Sequence, residues 1–409
     1  MKKGDLLLAL ASVVLSLFTA ELLLNHFANE NSRPVLRLPG IQHDNRDWLH
    51  ALYDLRAAGI DAQPIVSAQV FGQFLAGPGG GEGIIPLAGI AKVATTFCNE
   101  LSKFIVFTSD RYGFRNDDRL WDTKPPVMLV GDSFAQGACV PDEATIGAEL
   151  TRRGFPTITV AYNSNGPLAE LASLIEYGPL IRPVTVVWLY YEGNDLTDLG
   201  RELEFAALRK YLEPEFRQDL PRRQPEIDRL IRSALDARPE IQKLNAAVRE
   251  HWTLSGVVSL RNTRTLVTNA IDTVFAGPPQ PAARELDDAL ATRATDQRLS
   301  DFEMVLTRAK DVAAGWGGKL IVAYMPATER YRFPELPEVA ELRKVQTEVT
   351  AIAASLDIPV IDLEGAFRPI SNIPRLFPKA NWPVHLTEEG YWIVSGHLAS
   401  RLQDFVSPR

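Results

Sequence analysis

From residue 126 onward the chain repeats one pattern: a short apolar, β-rich run, then a stretch with helically spaced apolar residues. The runs are Val127–Val130, Thr157–Val160, Val184–Tyr190, Leu320–Tyr324 and Ile358–Ile361. Helical stretches follow at Thr145–Arg153, Leu168–Tyr177 and about Glu338–Leu356; the last is free of glycine and contains several alanines, which favours a helix. A strand that is apolar on both faces has to be covered on both faces, the condition of a central parallel sheet. The pattern predicts an α/β domain of three layers, α/β/α, built on a five-stranded parallel sheet.

Between the third and fourth runs lies a long stretch, about 199–311, rich in Arg, Glu, Asp and Leu. It has helical spacing over Ile227–Val248 and a break at Pro278-Pro279-Gln280-Pro281, and reads as a helical insertion within the fold. Ahead of the repeating pattern, residues 26–109 read as a linker and N-terminal extension. Residues 25–50 are polar with Pro34 and Pro39, and residues 47–75 show helical spacing at Leu49, Leu52, Leu55, Val66, Val70 and Phe74. Gly77–Gly83 lacks the Gly-Lys-Ser/Thr ending of a phosphate-cradling loop and is expected to be a plain turn. The main domain then spans residues 110–409.

The first 25 residues predict a membrane anchor. Lys2 and Lys3 precede the apolar run Leu6–Ala20, which resumes at Leu22–Leu24. Read continuously, residues 6–24 approach the ~20 residues a transmembrane helix needs. The lysines would hold the short N-terminal end in the cytoplasm. A single-pass protein of the cytoplasmic (inner) membrane follows, its main domain extracytoplasmic, in the periplasm. A cleaved signal peptide is the alternative, but Phe18 stands where its cleavage site would want a small residue.

Composition closes off other classes. The net charge of −8, with both signs interspersed, leaves no basic footprint for nucleic acid. Two cysteines, Cys98 and Cys139, are too few for a disulfide framework or a four-ligand zinc site. In an exported chain they suffice for one bridge, whose feasibility turns on a separation that sequence does not supply. No His, Cys or carboxylate cluster has metal-ligand spacing, so neither a metal nor an organic cofactor is expected.

Three segments carry residues of reactive type. Gly131-Asp132-Ser133 directly follows the first apolar run, where a serine can present its hydroxyl and backbone N–H at the C-terminal sheet edge that binds ligands in open parallel sheets. Asp132 there can hold the turn through backbone hydrogen bonds. Gly193-Asn194-Asp195 follows the third run and offers an amide side chain at the same edge. His385 lies in the loop before a helix beginning near Glu388, with Thr387 as its cap. A serine nucleophile needs a base within hydrogen-bond reach, and His385 is the candidate. Each segment alone is an ordinary turn or solvated loop; their combination and order point to catalysis.

These blocks resemble the SGNH (GDSL-type) hydrolase superfamily, in the form of its membrane-anchored members. The resemblance runs from about Asp110 to Phe405. It rests on Gly131-Asp132-Ser133-Phe134, on Tyr191-Glu192-Gly193-Asn194-Asp195, and on His385-Leu386-Thr387-Glu388-Glu389-Gly390. Asp110-Arg111-Tyr112-Gly113-Phe114-Arg115-Asn116 resembles the segment that precedes the core in anchored members. The family implies a flavodoxin-like fold, Ser133 as nucleophile, His385 as base, and an oxyanion hole from Ser133, Ser164 and Asn194.

Two positions depart from the family pattern. In Tyr162-Asn163-Ser164-Asn165-Gly166-Pro167 the usual oxyanion-hole glycine aligns with Ser164, or alternatively with Gly166. The aspartate normally three residues before the histidine is Trp382. The imidazole would then be oriented by a backbone carbonyl, by Asn381, or by an acid from elsewhere, such as Asp362 or an insertion residue. The expected activity is ester hydrolysis through a Ser133 acyl-enzyme, on an acylated small molecule or a cell-envelope glycan, with acetyl as the first acyl group to test. A glycan O-acyltransferase using the same acyl-enzyme, and a non-catalytic carbohydrate-binding protein on the same fold, are the alternatives. Trp188, Tyr190, Tyr191 and Trp382 are candidates to stack on a sugar, with core packing the competing role for Trp188 and Tyr190.

Overall fold

The structure, a computed structural model, describes residues 12–20, 44, 46–67, 83–101, 103–251, 295–335, 337–378 and 385–406. The predicted strands form at Val127–Gly131 (β4), Thr157–Thr159 (β5), Thr185–Tyr191 (β6), Lys319–Met325 (β7) and Val360–Asp362 (β8). All are parallel, in the order β5-β4-β6-β7-β8. Every residue of β4 and of β6 is buried, the property their unbroken apolar sequences require.

Three further short strands, Ala62–Pro64 (β1), Ala94–Thr96 (β2) and Val106–Thr108 (β3), make a separate small sheet. Strand β2 pairs parallel with β1 and antiparallel with β3. The helices that build the domain or bear on the site are Trp48–Ala57 (α1), Ser133–Gln136 (α2), Ile146–Arg152 (α3), Pro167–Ile181 (α4), Asp195–Glu202 (α5), Gln224–Asp236 (α6), Pro239–His251 (α7), Thr295–Ala314 (α8), Glu338–Ser355 (α9) and Glu388–Leu402 (α10).

Side chains alternate across a strand, and the two faces carry separate cores. Met128, Val130, Val186, Trp188, Tyr190 and Val322 pack with α4, α8 and α9. Val127, Leu129, Val187, Leu189 and Ile321 pack with α3 and α10. Trp188 and Tyr190 are fully buried and Tyr191 nearly so; they are core residues, not a sugar platform. Trp382 lies outside the described residues.

Within the stretch read as an insertion, α8 packs on β7 and α4 as part of the covering layer. Helix α6 buries Ile227, Ile231 and Leu235 in the same core, and α7 packs toward the N-terminal extension. Ile241 and Leu244 of α7 pack with Leu52 of α1 and Ala62 of β1, and Arg232 of α6 pairs with Asp61 at 2.8 Å. The helical spacing expected across 47–75 is interrupted: α1 stops at Ala57 and β1 follows, with residues 68–82 outside the described residues. Glycine ends the continuity, since Gly59 takes φ +77° in the turn between them.

Of the predicted anchor, residues 12–20 are described and helical, with Val13, Val14 and Leu15 exposed; residues 1–11 and 21–43 lie outside the described residues. Among the described residues no helix is long and apolar enough to cross a membrane.

Candidate functional site

Strand order reverses between β4 and β6: the chain leaves β4 for the edge strand β5, then returns to the far side of β4. Ligands in open α/β sheets bind at such a switch point, beyond the carboxyl ends of the strands. Ser133 follows β4 and Asn194 follows β6, so topology alone brings both to this crevice.

The strand-to-helix turn that carries Ser133 is built tightly. A Cβ at Gly131 would lie 2.7 Å from Ala135 Cβ and 3.0 Å from the Leu189 carbonyl oxygen, so the close approach of β4 and α2 requires glycine there. Asp132 is fully buried and caps α2, accepting the Phe134 N–H at 2.8 Å. Gly137 ends the helix after one turn in the left-handed region, at φ +81°. Ser133 sits at the first helical position, where backbone N–H groups have no intrahelical acceptor.

His385 approaches from the loop ahead of α10, whose N-terminus is capped by Thr387 through the Gly390 N–H at 3.2 Å. Its Nε2 lies 2.8 Å from the Ser133 hydroxyl. Its Nδ1 lies 2.8 Å from Glu100 Oε1, and its backbone N–H donates to Glu100 Oε2 at 2.9 Å. A carboxylate only accepts, so Nδ1 of the neutral ring carries the proton and Nε2 presents its lone pair to the serine. Phe134 packs 4.8 Å from the imidazole, centroid to centroid, with the Tyr191 ring tilted against it at 4.1 Å.

Of the alternatives for what orients the histidine, the structure places an acid from elsewhere in the chain at Nδ1, Glu100, which is neither Asp362 nor an insertion residue. Asp362 is occupied elsewhere, accepting the Glu364 N–H at 2.9 Å and facing Arg368 at 3.8 Å; Asn381 lies outside the described residues. The acid comes from the N-terminal extension, at the tip of the hairpin between β2 and β3. Phe97 N–H to Ile105 O at 2.9 Å, and Ile105 N–H to Cys98 O at 2.8 Å, continue the ladder to the tip. Residues of the linker grip it: Asn99 donates to the Asp44 and Arg46 carbonyls, and Phe104 N–H to the Asp44 carboxylate. A disulfide joins Cys98 to Cys139, just past α2, and Phe97, Ile105, Phe107, Ala138 and Cys139 pack together around it.

The Asp110–Asn116 segment holds the other side of this junction. The Asp110 carboxylate accepts from Tyr112 N–H, Phe114 N–H, Asn116 Nδ2 and Trp121 Nε1. Asn116 in turn pairs with both backbone groups of Thr159 on the edge strand β5. The buried Arg115 donates to the Gly137 and Val140 carbonyls at 2.6 and 2.7 Å and to Asp142, bracing the loop that leaves α2.

The two alternatives for the oxyanion segment, Ser164 and Gly166, stand in different surroundings. Gly166 N–H donates to the buried Glu202 carboxylate at 2.6 Å, so it is already bonded. Ser164 holds φ +59°, a left-handed conformation that glycine adopts easily; its backbone N–H donates to no group among the described residues. The Asn194 side chain lies beside Asp132, opposing the rise in its pKa, and its Oδ1 is buried without a partner among the described residues. In Gly193 a Cβ would meet the Tyr191 ring at 2.5 Å, so the loop carrying Asn194 lies flat on that ring. Asp195 accepts the Tyr191 N–H at 2.9 Å and is a support of this turn.

Electrostatics favour a basic imidazole. Burial lowers the His385 pKa, but the Glu100 charge and hydrogen bond, with the Asp132 charge behind them, outweigh it and raise it above the ordinary 6.5. Burial raises Asp132, against the donors Phe134 N–H, Asn194 and Ser133. Donor atoms of Glu100, Cys139 and His385 lie within 4.8 Å of one another, but the Cys139 sulfur is bonded to Cys98 and the other two to each other. The set as it stands is a hydrogen-bonded array, not a vacant ligand shell.

No protein-family model matches the sequence, and no curated protein aligns with it. Solved structures do overlap it. A lipase/acylhydrolase from Enterococcus faecalis is 11% identical with a TM-score of 0.36, over 69% of this chain and 97% of its own. A member of the lipolytic protein G-D-S-L family from Veillonella parvula DSM 2008 is 11% identical with a TM-score of 0.34, over 67% and 96%. An acetyl xylan esterase is 11% identical with a TM-score of 0.37, over 68% and 98%. Similarity of this degree fixes neither activity nor substrate.

Proposed function

We propose that this chain is a serine ester hydrolase that works through an acyl-enzyme on Ser133. The observation that carries the reading is the unbroken line from Glu100 through His385 to Ser133, with 2.8 Å at each imidazole nitrogen. His385 Nε2 takes the Ser133 proton as the hydroxyl oxygen attacks the ester carbonyl carbon. The tetrahedral oxyanion is met by the N–H groups of Ser133 and Ser164 and by the Asn194 amide, each donor worth about 2.7–4 kcal/mol in comparable sites. Collapse expels the alcohol, which receives the proton from His385. Water, deprotonated by the same nitrogen, then attacks the acyl-enzyme; the bond from the acyl carbon to the Ser133 oxygen breaks, His385 returns its proton to that oxygen, and the acid leaves. Glu100 touches no reacting atom; it is a positioning residue that fixes the tautomer and supports the imidazolium.

The non-catalytic reading arose from the missing aspartate before His385. Glu100 provides a carboxylate at that nitrogen, so its motive is gone. We further propose that the acyl group is short, acetyl first, that the alcohol is a cell-envelope glycan, and that the enzyme faces the periplasm from an anchor through residues 6–24. Support for the location comes from Lys2 and Lys3 ahead of the apolar run and from the disulfide, a bond characteristic of oxidising compartments. Ser133→Ala should abolish turnover of p-nitrophenyl acetate and of acetylated xylan by the purified full chain. Undiminished turnover would refute the reading. Release of acetate to water, rather than its appearance on added glycan, separates hydrolysis from acyl transfer.

A further inference from the structure

We propose that the Cys98–Cys139 disulfide is a positioning element of the site, so that reduction converts a Glu–His–Ser triad into a weaker His–Ser dyad. The inference rests on the hydrolase reading above. Glu100 stands two residues beyond Cys98, on a hairpin tip that belongs to the small sheet and not to the main one. Cys139 lies just past the nucleophile helix α2, and its sulfur is within 4.8 Å of both the Glu100 carboxylate and the His385 ring. The bridge is therefore a covalent tie between the element that carries the acid and the element that carries the nucleophile, placed against the hydrogen bond it protects.

The other ties of the tip among the described residues are its ladder, an apolar cluster shared with Ala138 and Cys139, Leu101 against the core that holds Phe134 and Ala135, the contacts from Asp44 and Arg46, and the bonds of Glu100 to His385. The packing contacts among these are not directional; the disulfide is the covalent bond that fixes the tip to the loop leaving α2. Cys98 is half-buried, which leaves a path for a small reductant. The reaction is a two-electron exchange. A dithiol thiolate attacks the disulfide, the S–S bond breaks, and its second thiol closes the reductant's own disulfide as Cys98 and Cys139 become thiols. A displacement of about 1 Å in a catalytic group can cost ~10²-fold in rate, and that is the loss expected here.

The test uses the full chain, oxidised and after dithiothreitol, with a chelator present. The chelator is needed because a freed Cys139 thiol would join Glu100 and His385 as a sulfur, oxygen and nitrogen set for Zn²⁺. The kcat for p-nitrophenyl acetate should fall about 10²-fold on reduction, with KM unchanged, and return on reoxidation. The acid limb of the pH profile should move to lower pH, as the imidazole loses the carboxylate that raises it. C98S/C139S should match the reduced wild type. In Glu100→Gln, which has already lost the acid, reduction should change kcat by less than about threefold. Reduction that leaves kcat and the acid limb unmoved overturns the proposal. So does an equal loss in wild type and Glu100→Gln, which would make the bridge a support of the whole fold. If instead the oxidised Ser133→Ala variant is as active as wild type, the hydrolase reading itself has failed.

Discussion

Replacing Glu100 by Gln removes one charge and exchanges one acceptor for a donor, with almost no change in shape. The two carboxylate oxygens now do different work: Oε1 accepts from His385 Nδ1 at 2.8 Å and Oε2 from the His385 backbone N–H at 2.9 Å. A carboxamide can satisfy one of these and not both. With its oxygen toward Nδ1, its NH₂ meets a backbone donor and leaves that N–H unpaired, at about 1–3 kcal/mol. With its NH₂ toward Nδ1, the ring must carry its proton on Nε2, and the nitrogen facing Ser133 is no longer a base. Either arrangement also loses the attraction between carboxylate and developing imidazolium, about 4 kcal/mol at ~4 Å and an effective dielectric of ~20. Corresponding changes in serine proteases cost ~10⁴ in kcat. We expect kcat to fall about 10²–10⁴-fold, or ~2.7–5.4 kcal/mol, with KM unchanged because Glu100 does not touch substrate. The assay is p-nitrophenyl acetate hydrolysis across pH. The free base is needed, so wild-type kcat/KM should rise through a midpoint above the ordinary 6.5. Without the carboxylate that raises the imidazole, the midpoint should move to lower pH. A variant within about threefold of wild type, with its acid limb in place, would refute the positioning role.

Other consequences are as specific. Asn194→Ala should lower kcat by about 10²–10³-fold, the effect of one lost oxyanion donor; an unaltered kcat would remove Asn194 from the hole. Arg330→Met should destabilise the fold by about 3–5 kcal/mol in urea unfolding. It would strand Glu192, whose side chain and that of Arg330 are wholly buried together; a loss below about 1 kcal/mol would contradict the reading of this pair as mutually dependent.

The main sheet and two of the three partners in the site were visible in the sequence because their signals are local. An unbroken apolar run such as Val184–Tyr190 specifies a doubly covered strand wherever it sits. Thr387, two residues after His385, marks a helix start by its capping chemistry alone. Glu100 carries no such mark. It sits in an irregular hairpin tip, Asn99-Glu100-Leu101, in a different sheet from Ser133, and its role exists only through contacts between distant segments. No carboxylate near the histidine in sequence reaches the ring among the described residues; proximity to it is set by folding. The one available clue was the cysteine pair. Cys139 follows Ser133 by a few residues and Cys98 precedes Glu100 by two, so pairing them brings Glu100 beside the nucleophile helix.

The most direct measurement is the mass of the Ser133 peptide after the full chain is mixed with p-nitrophenyl acetate and quenched in acid within the first turnover. The account predicts one added acetyl group, on Ser133, absent from His385→Ala. A hydrolysing enzyme with no acetyl on that peptide, or with the group on another residue, would contradict it.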